Sequence, residues 1–233
     1  MRTKMANRLI RANCVLPLAC TICLVMATPS YSSPSADPEL LQYRWKLSGF
    51  KGLVARLFVP GNGEGTLTTG VNGSGRLVSE LRISSSSARR EDFWLYGSEI
   101  DAGARRTLRS WSTQHFRGKS REKESELERD DVIDLASSIY FLRRELPEKA
   151  TEANIWSGGR IYRVAVKPTG RDARLVDGQP VRTRSYSLRG VGKPLWRGRL
   201  DLVLSEDESA TPLEIAIARD GMRVRLELVE PES

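Results

Sequence analysis

The chain of 233 residues is 39% hydrophobic and 28% charged, which suits one soluble domain large enough for a core of its own. Its formal charge of +8 overstates its basic character, because Arg2, Lys4, Arg8 and Arg11 lie in an N-terminal segment expected to be removed. Without them 33 basic residues stand against 29 acidic ones, interspersed in sign, and that balance gives no case for nucleic acid as a partner.

Those four cations precede an apolar run, Cys14 to Ala27, of the length of a secretory signal core rather than a membrane span. Small residues at Ser30 and Ser32 place the expected cut near Ser32/Ser33, with a flexible leader over residues 33–40. The alternative is an uncleaved N-terminal anchor. Pro17-Leu18-Ala19-Cys20 only partly fits a lipoprotein signal, so a soluble, exported protein is expected, without a membrane span once the signal is gone. Cys14, Cys20 and Cys23 all fall inside the signal. The mature chain then holds no disulfide, no thiolate nucleophile and no Cys-based zinc site.

Strand signals begin at Leu41, in a single domain expected over 41–230. Tyr43, Trp45 and Leu47 alternate with Arg44 and Lys46, and Leu53 to Val59 is a second apolar run. Gly61-Asn62-Gly63-Glu64-Gly65 reads as a turn, Thr66 to Val71 as a strand, and Asn72-Gly73-Ser74-Gly75 as a hairpin turn into Arg76–Ser84. Phe93-Trp94-Leu95-Tyr96 and Thr107–Phe116 are further strands. The charge run from Gly118 to Arg129 mixes both signs and reads as a solvated turn or strand pair.

One long helix follows. Val132, Leu135, Ala136, Ile139, Leu142 and Leu146 recur at three- and four-residue steps, which predicts a helix over residues 131–146. Asp130 or Asp131 is the expected N-cap, Arg143 and Arg144 complement the dipole at the other end, and Pro147 ends it. Beyond it come strand candidates at Ala153–Trp156, Arg160–Lys167, Arg174–Val176, Thr183–Leu188, Leu195–Leu204, Leu213–Ala218 and Arg223–Val229. About eleven strands and one helix in this order predict a mainly β fold. Its form would be a strongly curved antiparallel sheet, a half-barrel or open barrel, wrapped around the helix.

Catalytic patterns are sparse. His115 is the lone histidine and no Gly-x-Ser-x-Gly elbow exists, so it reads as a strand residue. The glycine-rich pieces lead into strands and are turns, not phosphate loops. Glu206-Asp207-Glu208 lacks the ligand spacing of a calcium loop. No cofactor and no metal are expected. Paired carboxylates, Asp131 with Asp134 or Glu206, remain as an alternative catalytic set. Trp94, Tyr96, Trp111, Tyr140 and Tyr162 are candidates to line the concave side. Ala136, Ser137 and Ser138 either pack closely on the sheet or leave room for an acyl chain, with Arg143 held by a structural partner or by an anionic head group.

Within Asp130 to Leu146, the residues Ser137, Tyr140, Leu142 and Arg143 resemble the helix of the domain of unknown function 3108 family of exported bacterial envelope proteins. Gly159–Val164, Leu200–Asp207, Pro212–Ile215 and Val224–Leu228 resemble its hairpin and closing strands. The resemblance implies a curved sheet partly closed around a helix, similar to periplasmic lipoprotein-localisation carriers, and a periplasmic location. A non-enzymatic binder of an apolar or lipid-like ligand, or of a lipoprotein or envelope-protein partner, is therefore expected. An enzyme acting on envelope polymer and a structural assembly factor without a small ligand are the alternatives.

Overall fold

In the computed structural model, which describes residues 38–49, 61–85, 92–127, 129, 131–176 and 178–229, thirteen strands form one sheet. They are β1 (Glu39–Ser48), β2 (Asn62–Val71), β3 (Leu77–Ser85), β4 (Phe93–Asp101), β5 (Arg106–Phe116), β6 (Lys119–Glu126) and β7 (Val132–Ile133). After the helix α1 (Leu135–Glu145) come β8 (Thr151–Ser157), β9 (Arg160–Val176), β10 (Gln179–Gly190), β11 (Gly198–Ser205), β12 (Pro212–Arg219) and β13 (Met222–Leu228). The order across the sheet is β6-β5-β4-β3-β2-β1-β13-β12-β11-β10-β9-β8-β7, so β1 and β13 join two antiparallel meanders. Only β7 runs parallel to its neighbour, β8. The expected strand Leu53–Val59 and the signal segment lie outside the described residues.

Alternation decides which side chains go inward. On β1 only Tyr43, Trp45 and Leu47 are buried, and their register partners Leu228, Leu226 and Val224 on β13 share that face. One apolar cluster gathers Leu67 and Leu81 from one half of the sheet, Leu188, Leu200 and Ile215 from the other, and Ile139 and Leu142 from the helix. Side chains so far apart in strand order meet because the sheet is curved.

The helix starts later than its periodicity suggests. Val132 and Ile133 continue the apolar spacing, but they pair with Asn154 and Ile155 of β8 as a strand. Asp134, rather than Asp130 or Asp131, is the N-cap: it accepts from the Ser137 amide at 2.9 Å while its own amide donates to Ser137 Oγ at 2.8 Å. At the C-terminal end Leu146 adopts a left-handed conformation at φ 42° and donates to the Leu142 carbonyl.

Two further expectations change. Asn62 to Gly65 belongs to β2 rather than to a turn, and Gly63 is there because the Trp45 indole crosses it: a Cβ on Gly63 would lie 2.6 Å from Trp45 Nε1. That indole donates to the Ser84 carbonyl at 2.7 Å. The two segments Arg160–Lys167 and Arg174–Val176 are one 17-residue strand, β9, which continues past Pro168 because the register slips there opposite Ser185 and Tyr186.

Candidate functional site

Polar groups fix the helix across the two halves of the sheet. At its N-terminus the buried Asp134 carboxylate accepts hydrogen bonds from Ser98 of β4 and Ser110 of β5, besides the Ser137 amide. Ser137 Oγ meets Thr107 Oγ1 at 2.7 Å. Burial pushes the Asp134 carboxyl up from its ordinary range, against the pull of those donors. At the other end Arg143 forks onto Glu39 of β1 at 2.6 and 2.7 Å and donates to the Ala210 and Ser209 carbonyls. Arg184 of β10 donates to the Leu146 carbonyl at 3.1 Å and to Glu148 at 2.8 Å. Helix and strands are thereby pinned at the end of the sheet where β1 starts and where β11 turns into β12.

The opposite end of the sheet carries a cavity of about 340 Å³. Among the described residues it is lined by Trp45, Leu47, Ile83, Trp94, Tyr96, Gln114, Phe116, Ile217, Arg219, Met222 and Val224. These residues come from β1, β3, β4, β5, β12 and β13, and all but Gln114, Arg219 and the Tyr96 hydroxyl present apolar surface. The size lies at the lower end of the range of about 300–1,000 Å³ typical of small-ligand sites. Trp94 and Phe116 tilt against each other with centroids 6.2 Å apart. Burial raises the Tyr96 phenol above its usual range, with Arg219 acting in the other direction, so the hydroxyl stays protonated near neutral pH. A smaller cleft of about 120 Å³ shares Tyr96, Ile217 and Arg219 and reaches Ser110 and Asp134.

The sequence-derived candidates separate in space. Trp94 and Tyr96 meet in the cavity. Trp111 points to the other face of the sheet, where its ring covers Gly97 and its indole donates to Glu80 at 3.2 Å. A Cβ on Gly97 would stand 2.1 Å from that ring, so glycine is what lets the indole lie flat. Ala136 is fully buried and does not line the cavity. Tyr140 packs edge-on against Phe141 at 5.4 Å, beside Leu77 and Ile100. Arg143 is occupied by Glu39. A second cleft, of about 410 Å³, does run along the helix between Phe141, Leu142, Val166 and Leu188, with Arg105, Asp131, Glu145 and Glu152 also lining it. Of the cavity's lining, Trp45, Leu47, Ile83, Gln114, Phe116, Ile217, Arg219, Met222 and Val224 were missed as site residues. Their strand alternation was legible, but the neighbouring strands that share their face were not.

The carboxylates of the alternative catalytic set are each committed elsewhere. Asp131 is bound by Arg129 and Asn154, Glu206 by Arg171 and Arg184, and Asp134 by serines. His115 stacks on Phe93 at 5.7 Å and exchanges a hydrogen bond with Ser120. No group of three or more metal-ligating side chains occurs among the described residues, and no helix there is long and apolar enough to cross a membrane.

The fold is therefore that of a β-barrel-like open sheet, with one helix among the described residues. It is similar to the crystal structure of a beta-barrel-like protein of domain of unknown function DUF1849 from Brucella abortus, with a TM-score of 0.54 and 10% sequence identity over 85% of this chain and 98% of that one. No protein-family model matches the chain, and no curated protein matches it either. The likeness supports a β-barrel-like protein of unknown function and does not extend to the 3108 family in particular.

Proposed function

We propose that the protein is an exported, non-enzymatic binder of an apolar or lipid-like ligand, seated in the cavity at the end of the sheet away from the helix. The observation that carries this is the lining: four aromatic residues, Trp45, Trp94, Tyr96 and Phe116, and a wall of aliphatic side chains around about 340 Å³, without a carboxylate among the described lining residues. The helix, wrapped by the sheet, serves as the plug of the other end: Ala136, Ser137 and Ser138 are all buried, and of the three only Ser138 borders the cleft that runs along the helix. A volume of this size takes one acyl chain or a ring system, not a several-chain lipid.

Filling the cavity should abolish binding. An environment-sensitive fatty probe is expected to bind the wild type with saturable fluorescence, and Ile217→Trp or Met222→Trp to weaken it about tenfold or more. Met222 is 42% exposed, so that variant keeps the fold even if Ile217→Trp does not. Undiminished binding by a folded Met222→Trp chain would show that the ligand sits elsewhere.

Export follows from the N-terminal pattern of cations, apolar run and small residues. Protein isolated from the envelope fraction should begin near Ser33 and, having lost Cys14, Cys20 and Cys23, should not react with thiol reagents. Full-length, thiol-reactive chain in the cytoplasm would contradict it.

A further inference from the structure

We infer that the ligand of this cavity is a single-chain amphiphile with an anionic end, and that the inward row of β6 together with Arg219 holds that end. The inference rests on the apolar-ligand reading above and adds the charge of the ligand to it.

The register of β5 and β6 sets where the charges stand. Phe116 faces Lys119, Gln114 faces Arg121, and Ser112 faces Lys123. Residues directly opposite in an antiparallel pair project from the same side of the sheet. Phe116 and Gln114 line the cavity, so the three cations stand on the cavity side. Glu122, Glu124 and Glu126 face Thr113, Trp111 and Arg109 and stand on the other side, where Arg109 pairs with Glu124. A run that sums to nothing by count is thus split by the strand period into a basic inner row and an acidic outer row.

No ion pair joins Lys119, Arg121 or Lys123 to another described residue, and all three are exposed. Alternate residues of a strand lie about 7 Å apart, and the screening length is about 8 Å at physiological salt, so the three potentials overlap. From β12, Arg219 adds a fourth cation to the same cavity; its nearest acid, Asp220, is 3.5 Å away and half exposed. Edge strands often carry lysine simply to block pairing with another chain. That role does not require one sign on one face. An anion attached to an apolar chain meets both the rings and the row, whereas a neutral amphiphile meets only the rings.

Calorimetry with decanoate, decyl phosphate and decyl maltoside, all below micelle formation, reads this directly. Decanoate and decyl phosphate should bind about tenfold tighter than the maltoside at low salt, a gap equal to a few surface charge contacts. Added salt should narrow the gap. The combined variant Lys119→Ser, Arg121→Ser, Lys123→Ser should lower decanoate affinity at least fivefold more than maltoside affinity, and Arg219→Ser should act in the same direction. Arg44→Ser, a cation on the outer face of β1, is the control and should change neither. Equal affinity for all three amphiphiles overturns the anionic end while leaving the apolar site standing. No binding by any of them removes both. Inorganic phosphate binding as tightly as decyl phosphate, or binding only to phosphatidylglycerol vesicles, would reassign the row to free anions or to a bilayer surface.

Discussion

Asp134→Ala is expected to lower the stability of the protein by about 3–5 kcal/mol in urea denaturation. The side chain caps α1, and losing a cap costs about 1 kcal/mol by itself. It also accepts from Ser98 and Ser110 on two different strands, and each buried donor left without an acceptor adds about 1–3 kcal/mol. The carboxylate therefore ties the helix start to β4 and β5. Because burial holds its pKa above the ordinary value of 3.8, the folded chain binds this proton more tightly than the unfolded chain does. Its contribution is full below the ordinary value and declines as pH rises through the folded one. The stability advantage of wild type over Asp134→Asn should shrink with rising pH. An advantage that grows with pH would mean that the site prefers the anion.

The second large effect is at Ile139, which is fully buried between helix and sheet. Ile139→Asp places a charge among Leu81, Leu188 and Ile215 with no partner, and should cost at least about 4 kcal/mol, enough to unfold a marginal domain. Glu124→Ala breaks a pair whose side chains are each about half exposed and should change stability by less than about 0.5 kcal/mol. Circular dichroism with thermal melts separates the two. Equal tolerance of both would make the helix peripheral.

The architecture was legible where one period dominates. Tyr43, Trp45 and Leu47 announce β1, and Ile139, Leu142 and Leu146 announce α1. Reading failed where two periods agree: Val132 suits both the helix stripe and a buried strand, and only its partner on β8 decides. Gly63 and Gly65 were read as a turn because glycine permits one, yet they make space for the Trp45 ring and the Leu226 methyl. The site was harder. Trp94 and Tyr96 were found as aromatics, but facing depends on a partner strand, which is why Trp111 was grouped with them. The same gap hid the charge run: Lys119, Arg121 and Lys123 alternate visibly with glutamates, and only the pairing with β5 shows which sign faces the cavity.

The central claim is that an apolar ligand sits at the end of the sheet away from the helix. Methyl-resolved NMR titration with decanoate tests it most directly. Saturable shifts are expected at Leu47, Ile83, Ile217 and Val224, with Ile139, Leu142 and Val166 unmoved. Shifts confined to Leu142, Val166 and Leu188 would place the ligand in the cleft beside the helix and contradict it, as would a titration that moves no methyl at all.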